Sequence, residues 1–364
     1  MNSVDIEARR KRGFIKKAIL KFGLNLEGLT IFTEAATGNY LYTPLVAALA
    51  GARQVFAVTA DSRYGRKEDV KELTMIEAKE LGVDNAIIVL FEKDKNCLGK
   101  SDIITNSGFV RPITNEMASY MKPTTVIPLM WESWEFRAQD LDLEACREKG
   151  VLVLGTNERH PLLNLFRSLG FLVCKLLFEK GFEVYKDKLL LLASGYVGES
   201  IADFFMKNGI NFDRVVFDDK APEHQIPFVR SRDEVIGVLD SYDAIIIFEH
   251  YHDVDILSRN GFIATGLLRQ RNPLVQIIHV CGSISKDDIV KEGLALYPNN
   301  IAPFGYMTVS ADYLGFKSTI ELNTAGLKVG EVMARCRLGG LSIKDTIEYT
   351  VKHSPAMDFE RGTL

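Results

Sequence analysis

The chain reads as two doubly wound α/β domains followed by a helical segment, and three observations lead there. Short apolar runs of strand character alternate with helical patterns, as they do where parallel strands are joined by crossover helices. This alternation occurs twice, interrupted by one long helical pattern, "PLLNLFRSLGFLVCKLLFEKG". With 364 residues the chain is long enough for two separate cores.

The first series opens on "LTIFTEA", Leu29 to Ala35, and a helix, "TPLVAALAGA". It continues through "QVFAVTA", the helix "KEDVKELTMIEAKELG", "NAIIVLF", "DIITNSG", "TTVIPLM", the helix "LDLEACREKG" and "VLVLGTN". Gly51, Gly82 and Gly150 fall where these helices should stop, because a left-handed closing residue suits glycine. The second series runs "KLLLLAS", a helix to Gly209, "FDRVVFDD", "IPFVRS", "DEVIGVLDS", "DAIIIFEH", "DILSRNGFIATGLLRQ" and "LVQIIHVCG". The tail, "STIELNTAGLKVGEVMARC" and "SIKDTIEYTVKH", is helical with no strand to follow. The expected division is residues 1–160, 161–317, and a tail, 318–364, that packs back on the domains.

Composition narrows the function classes. Hydrophobic content of 47% and charged content of 25% are ordinary for a soluble globular enzyme. A net charge of −4 gives no global attraction to nucleic acid or an anionic membrane. The one basic cluster, "RRKRGFIKK", has apolar residues at helical spacing and reads as the solvated face of an N-terminal helix. Five cysteines without a C-x-x-C pair argue against a zinc ribbon or disulfide framework and fit a reducing cytoplasm. No apolar leader is visible at the N-terminus and no stretch reaches membrane-spanning length.

The stretch "LLASGYVGESIADFF" carries the first chemistry. An apolar strand turns through Ala193, Ser194, Gly195, Tyr196, Val197 and Gly198 into a helix whose buried stripe is Val197, Ile201, Phe204 and Phe205. This is the G-x-G-x-x-G turn of a dinucleotide site with alanine in the first place. Gly195 lets the backbone approach a pyrophosphate, Gly198 lets helix and strand pack closely, and the helix N-terminus favours the anion. Asp218 lies twenty residues past Gly198, placed to accept from a ribose 2′-OH. Together with Asp219 it would repel a 2′-phosphate, so NAD(H) is expected over NADP(H).

The run "DLDLEACREKGVLVLGTNE", a connecting helix and this turn resemble the D-2-hydroxyacid dehydrogenase superfamily, also called formate/glycerate dehydrogenase-like. The NAD-binding domain of adenosylhomocysteine hydrolase is a cousin. The resemblance covers Asp102 to Ile301 in order and spacing. It implies a flavodoxin-like first domain holding the substrate, a Rossmann second domain holding NAD, catalysis in the cleft between them, and a homodimer through the cofactor domain. The family's catalytic residues do not carry over. Its arginine would stand where the chain reads Cys281, Gly282, Ser283; its E-P glutamate has no counterpart in "LALYPNNIAPFG"; its P-H histidine falls at Phe304. The hydrolase's lysine-centred site is not recognisable either.

Catalytic groups of open α/β sheets gather at the carboxyl ends of strands. That selects Glu249, His250, His252 and Asp253, directly after "DAIIIF", with a histidine oriented by a carboxylate as the acid–base group for hydride transfer at a carbinol carbon. His279 is the other candidate, although a histidine inside an apolar strand is more often a satisfied core residue. Glu249 and Cys281, at the ends of neighbouring strands, join the residues expected against the cofactor. His250 and His252 could instead hold a metal, but no further ligand stands at suitable spacing, and none is expected.

In the first domain Glu34, Asn39, Asn106 and Arg137 follow strands and could bind a polar, acidic substrate, Arg137 by its bidentate fork. Trp131 and Trp134 read more simply as core, and "GTNERHP", with Glu158 and His160, as turn and cap. The expected function is an NAD-dependent oxidoreductase of a small polar metabolite, cytoplasmic and homodimeric, with no nucleic-acid or membrane partner. Two alternatives stay open: a catalytically silent NAD-binding protein, and an S-adenosylmethionine-binding protein. The latter follows from "IFTEAATGNYLYTPLVAALAGARQVFAVTADS", which resembles the opening of a class I methyltransferase with Gly38 and Asp61 as the matching residues.

Overall fold

A computed structural model describes residues 3–217 and 229–359. The chain forms two compact units, Met1–Leu165 with Gly315–Leu364, and Phe166–Leu314. Unit 1 begins with helix α1 (Ser3–Phe22), which buries Ile15, Ala18 and Phe22 and leaves Arg9, Arg10, Lys16 and Lys17 exposed. Four of the cluster's basic residues are thus on a solvated helix face, while Lys11 and Arg12 are half-buried and paired with Glu7, Glu77 and Glu80.

Six strands follow: β1 (Thr30–Glu34), β2 (Gln54–Val58), β3 (Ile87–Leu90), β4 (Ile103–Ile104), β5 (Val126–Pro128) and β6 (Leu152–Thr156). Between them run helices α2 (Tyr42–Leu49), α3 (Lys67–Leu81), α4 (Lys95–Lys100), α5 (Asn115–Ser119) and α6 (Leu143–Lys149). Helices α3 and α6 close on Gly82 and Gly150 in the left-handed conformation, as their positions predict. The parallel sheet has the spatial order β6-β5-β4-β1-β2-β3. That is the Rossmann order 3-2-1-4-5-6; a flavodoxin-like sheet would run 2-1-3-4-5. Successive side chains point to opposite faces. Ile31, Val55 and Ala57 enter one core cluster, and Phe32, Phe56 and Val58 the other. Burial on both faces is why these strands read as unbroken apolar runs.

Unit 2 opens with α7 (Leu169–Glu179), which starts later than its long apolar pattern suggests because Asn164 takes a positive φ of 46°. Strands β7 (Lys188–Leu192), β8 (Asn211–Val215) and β9 (Ala244–Phe248) alternate with α8 (Gly195–Lys207) and α9 (Arg232–Gly237). The segment "DEVIGVLDS" is helical at its start, fixed by a capping box between Ser231 and Glu234. Then come β10 (Asp255–Ser258), β11 (Ile263–Ala264), α10 (Thr265–Arg271), β12 (Gln276–Cys281), β13 (Ser283–Ile284), α11 (Lys286–Lys291) and β14 (Ala295–Tyr297). The main sheet is β14-β12-β9-β7-β8, all parallel, and Val229 adds a single parallel bridge to Arg214 beyond β8. Counting that bridge as a third strand gives the same Rossmann order. A second, small sheet, β11-β10-β13, uses residues the sequence pattern assigned to no separate sheet.

The tail returns to unit 1. Helix α12 (Phe316–Leu338) places Ile320, Leu327, Val329 and Met333 in the cluster that holds Ile15, Ile31 and Leu45. After α13 (Ile343–His353) a strand does follow: β15 (Ala356–Met357) pairs antiparallel with β6 and extends the sheet edge. Among the described residues no helix is long and apolar enough to cross a membrane.

Candidate functional site

In unit 2 the glycine turn lies at the carboxyl end of β7, whose sheet neighbours are β8 and β9. This is the topological switch point, where open α/β sheets bind ligands. Ala193 is wholly buried, and its N–H continues the ladder to Val215 O at 3.1 Å. Ser194 has extended backbone and caps α8. Its hydroxyl accepts from Phe217 N–H at 2.8 Å, which fixes the turn to the segment after β8.

Gly195 begins the helix with a φ of +54°, and a Cβ there would stand 2.7 Å from the Tyr251 ring. At Gly198 a Cβ would stand 2.3 Å from Ala193 O, so the close helix–strand approach asked of the third glycine is present. Val197, Ile201 and Phe205 are buried as their spacing predicts, Phe204 packs on Phe171 with ring centroids 4.5 Å apart, and Tyr196 is exposed. Asp218 and Asp219 lie outside the described residues.

The histidine loop follows β9. Glu249 is wholly buried, and its Oε1 accepts from Tyr251 N–H at 2.9 Å and His252 N–H at 3.0 Å. The same oxygen is 3.2 Å from His252 Nδ1. A carboxylate only accepts, so Nδ1 carries the proton and Nε2 is the basic nitrogen of a half-exposed ring. The carboxylate–imidazole pair expected in this loop is thus Glu249 with His252. Through Oε1, Glu249 shapes the loop from inside. His250 is half-buried in the same loop. Asp253 accepts from the Ser283 hydroxyl.

His279 has a core histidine's surroundings. It is wholly buried; Nε2 donates to Gly282 O at 2.9 Å, and Nδ1 accepts from the Thr308 hydroxyl at 2.9 Å. Thr308 in turn accepts from Ala302 N–H at 2.8 Å. Burial lowers the His279 pKa. Both ring nitrogens are hydrogen-bonded. Cys281 is buried at the end of β12, and its carbonyl accepts from Glu249 N–H at 3.2 Å.

Unit 1 collects acids at its strand ends. Glu34, closing β1, is 5% exposed; its Oε2 accepts from Phe109 N–H at 2.9 Å. Burial raises its pKa, against the opposing pull of that N–H and Arg111. Asn106, after β4, is tied to the end of β5 through Met130 N–H at 2.8 Å, and Asn39 is half-buried in the turn after β1. Arg137 and Arg111 share Asp140, at 3.2 and 2.8 Å, and lie 5.7 and 4.8 Å from the Trp131 ring centre. Trp131 is therefore a platform for two guanidinium groups rather than simple core.

After β5 and β6 stand Glu132 and Glu158. Glu132 accepts from Trp134 Nε1 at 2.6 Å and from Glu158 N–H at 3.0 Å. Burial, reinforced by Glu135 and Glu132, raises the Glu158 pKa well above its usual range. His160 serves the turn, accepting from Leu162 N–H at 3.3 Å.

Arg111, Tyr251 and Arg214 are the residues that sequence reasoning passed over. Arg214 left a signal, a lone arginine inside the apolar strand "FDRVVF".

No protein-family model matches the chain, and no curated protein sequence matches it significantly. Solved structures do. A dipicolinate synthase subunit from Bacillus halodurans is 12% identical with a TM-score of 0.51, covering 86% of this chain and 99% of that one. A dipicolinate synthase chain from Bacillus subtilis is 14% identical with a TM-score of 0.54, covering 89% and 99%. A 2-hydroxyacid dehydrogenase from Ketogulonicigenium vulgare Y25 aligns more loosely, at 12% identity, a TM-score of 0.42, and coverage of 87% and 97%. The likeness is one of architecture: the fold is shared with the two dipicolinate synthase chains at low sequence identity.

Proposed function

We propose that the protein is an NAD-dependent oxidoreductase of a small polar metabolite, with the dinucleotide at the turn from Ala193 to Gly198. The observation that carries the reading is this turn itself. It stands at the switch point of a Rossmann-ordered sheet and opens a 13-residue helix, with Gly195 at positive φ and Gly198 against the strand. The residues fit the group: Gly195 takes the positive φ of the turn, and Gly198 lets α8 approach β7 closely enough to bring the helix N-terminus to it. NAD, when bound, supplies the hydride acceptor. His252, its Nδ1 held by Glu249, offers Nε2 to take the proton of a substrate hydroxyl. Glu34, Asn39, Asn106 and Arg137 are the residues proposed to bind a polar substrate, and Arg111 joins them through its shared pairing with Arg137.

Fluorescence titration should find NADH bound more tightly than NADPH, and Asp218→Ala should narrow the gap. Equal affinities in the wild type would remove Asp218 from the ribose site. With substrate found by panel, His252→Ala should leave NADH affinity nearly unchanged and lower turnover by about 10²–10⁴-fold. A silent NAD-binding protein would bind NADH and turn over nothing. We also propose a homodimer through unit 2, supported by the exposed Phe171 and Phe178 on α7. Light scattering at a mass near 40.8 kDa would reject it.

A second reading places S-adenosylmethionine on unit 1. It is favoured by that unit's own Rossmann order and by Gly38, at a φ of +65° in the turn after β1. Binding of S-adenosylmethionine in place of NADH would select it.

A further inference from the structure

Arg214, on β8, heads the wholly buried side chains by size and is 1% exposed. Its guanidinium reaches beneath the glycine turn. Nε donates to Ala193 O at 2.8 Å, and Nη2 lies 3.5 Å from Gly195 O. The same Nη2 would stand 2.3 Å from a Cβ at Gly198, so the third glycine makes room for an arginine as well as for a strand.

In a planar trans peptide the C=O and the following N–H point opposite ways. Drawing the Ala193 and Gly195 carbonyls inward therefore turns the Ser194 and Tyr196 N–H groups away from the guanidinium. These belong to the start of α8, where helix geometry supplies no acceptors and where a helix favours an anion.

We infer that Arg214 is the positioning residue of this turn, clamping two peptide planes from beneath so that their amides face a ligand's pyrophosphate. A first glycine reaches such a turn through conformational freedom. Here the peptide is held in place, which is why Ala193 is tolerated. The inference rests on the turn being a dinucleotide site.

The test compares wild type, Arg214→Met, Arg214→Lys and Gly198→Ala by titration with NADH, ADP-ribose and adenosine, alongside thermal unfolding. Arg214→Met should lose about tenfold or more in affinity for both pyrophosphate ligands and stay within about twofold for adenosine. Arg214→Lys should recover part of the loss, since an ammonium can still donate to Ala193 O. Gly198→Ala, pressing on Ala193 O as well as on Nη2, should show the same selective loss, and if Arg214→Met does not fold, a partial and selective loss in Arg214→Lys carries the test. An arginine that only stabilised the core would lower the melting temperature and leave the ratio of affinities unchanged, which overturns the inference alone. A wild type that binds neither NADH nor ADP-ribose overturns the dinucleotide reading, and the inference with it.

Discussion

After β1 the chain turns through Gly38, and after β7 through Gly195, with φ of +65° and +54°. Each turn follows the first strand of a sheet with the same spatial order. Around Gly38 a Cβ would meet nothing within 4 Å; around Gly195 it would strike the Tyr251 ring at 2.7 Å. The surroundings of the two turns diverge further. Gly195 has a buried arginine beneath it, while the strand before Gly38 ends on a buried acid, Glu34. Topology makes the two turns equivalent, and their neighbours give them different chemistry.

The same substitution at both glycines tests this contrast and gives the largest expected effect. Gly38→Val should cost only left-handed backbone strain, about 1–2 kcal/mol. Gly195→Val adds the collision with Tyr251, for about 2–5 kcal/mol in all, and should abolish NADH binding. Denaturant unfolding measures both, and equal costs would mean that the Tyr251 ring yields freely. Because Gly195→Val also damages the fold, lost binding in that variant is not by itself evidence about the phosphate.

The next effect sets the units against each other in pH. A carboxyl whose folded pKa is raised favours folding while protonated, and that contribution is lost as pH rises through the folded pKa. Glu34 and Glu158, both raised from 4.5, should make unit 1 less stable as pH climbs above the usual glutamate range. His279 is lowered from 6.5; it favours folding while neutral, so unit 2 should lose stability as pH falls below that value. Hydrogen exchange resolved by unit, from about pH 5 to about pH 9, should show opposite slopes, and Glu158→Gln should flatten that of unit 1. Parallel slopes would break the contrast.

The smallest effect belongs to Ala193→Gly. It removes one buried methyl and adds backbone freedom, for about 1 kcal/mol, and with Arg214 in place NADH affinity should stay within about twofold. A gain in affinity would mean that the alanine obstructs the turn.

Much of this was legible in the chain. Runs such as "TIFTE" and "LLLL" announce strands buried on both faces, and Gly82 and Gly150 mark helix ends through a backbone requirement that stays local. The Glu249–His252 pair was legible because both residues lie in one loop at a strand end. What escaped depends on residues distant in sequence. The Tyr251 ring on Gly195 and the Arg214 guanidinium under Ala193 join separate crossover units. Strand β15 is two residues long, too short to show a period, and exists because β6 offers it an edge. Unit 1 is also discontinuous, which apolar periodicity alone does not reveal.

That discontinuity bears on how the protein is made. Unit 2 is an unbroken stretch and can close as soon as it leaves the ribosome. The first sheet must wait for α12, which buries Leu327 and Met333 against the face that holds Ile31 and Leu45. At about 5–20 residues per second, translating the roughly 150 intervening residues takes on the order of 10–30 s. During that interval a growing chain displays an aliphatic sheet face that α1 and α2 cover only in part. Slowed elongation or loss of holdase chaperones should therefore aggregate the nascent chain through its earliest-made part, while excised unit 2 is spared.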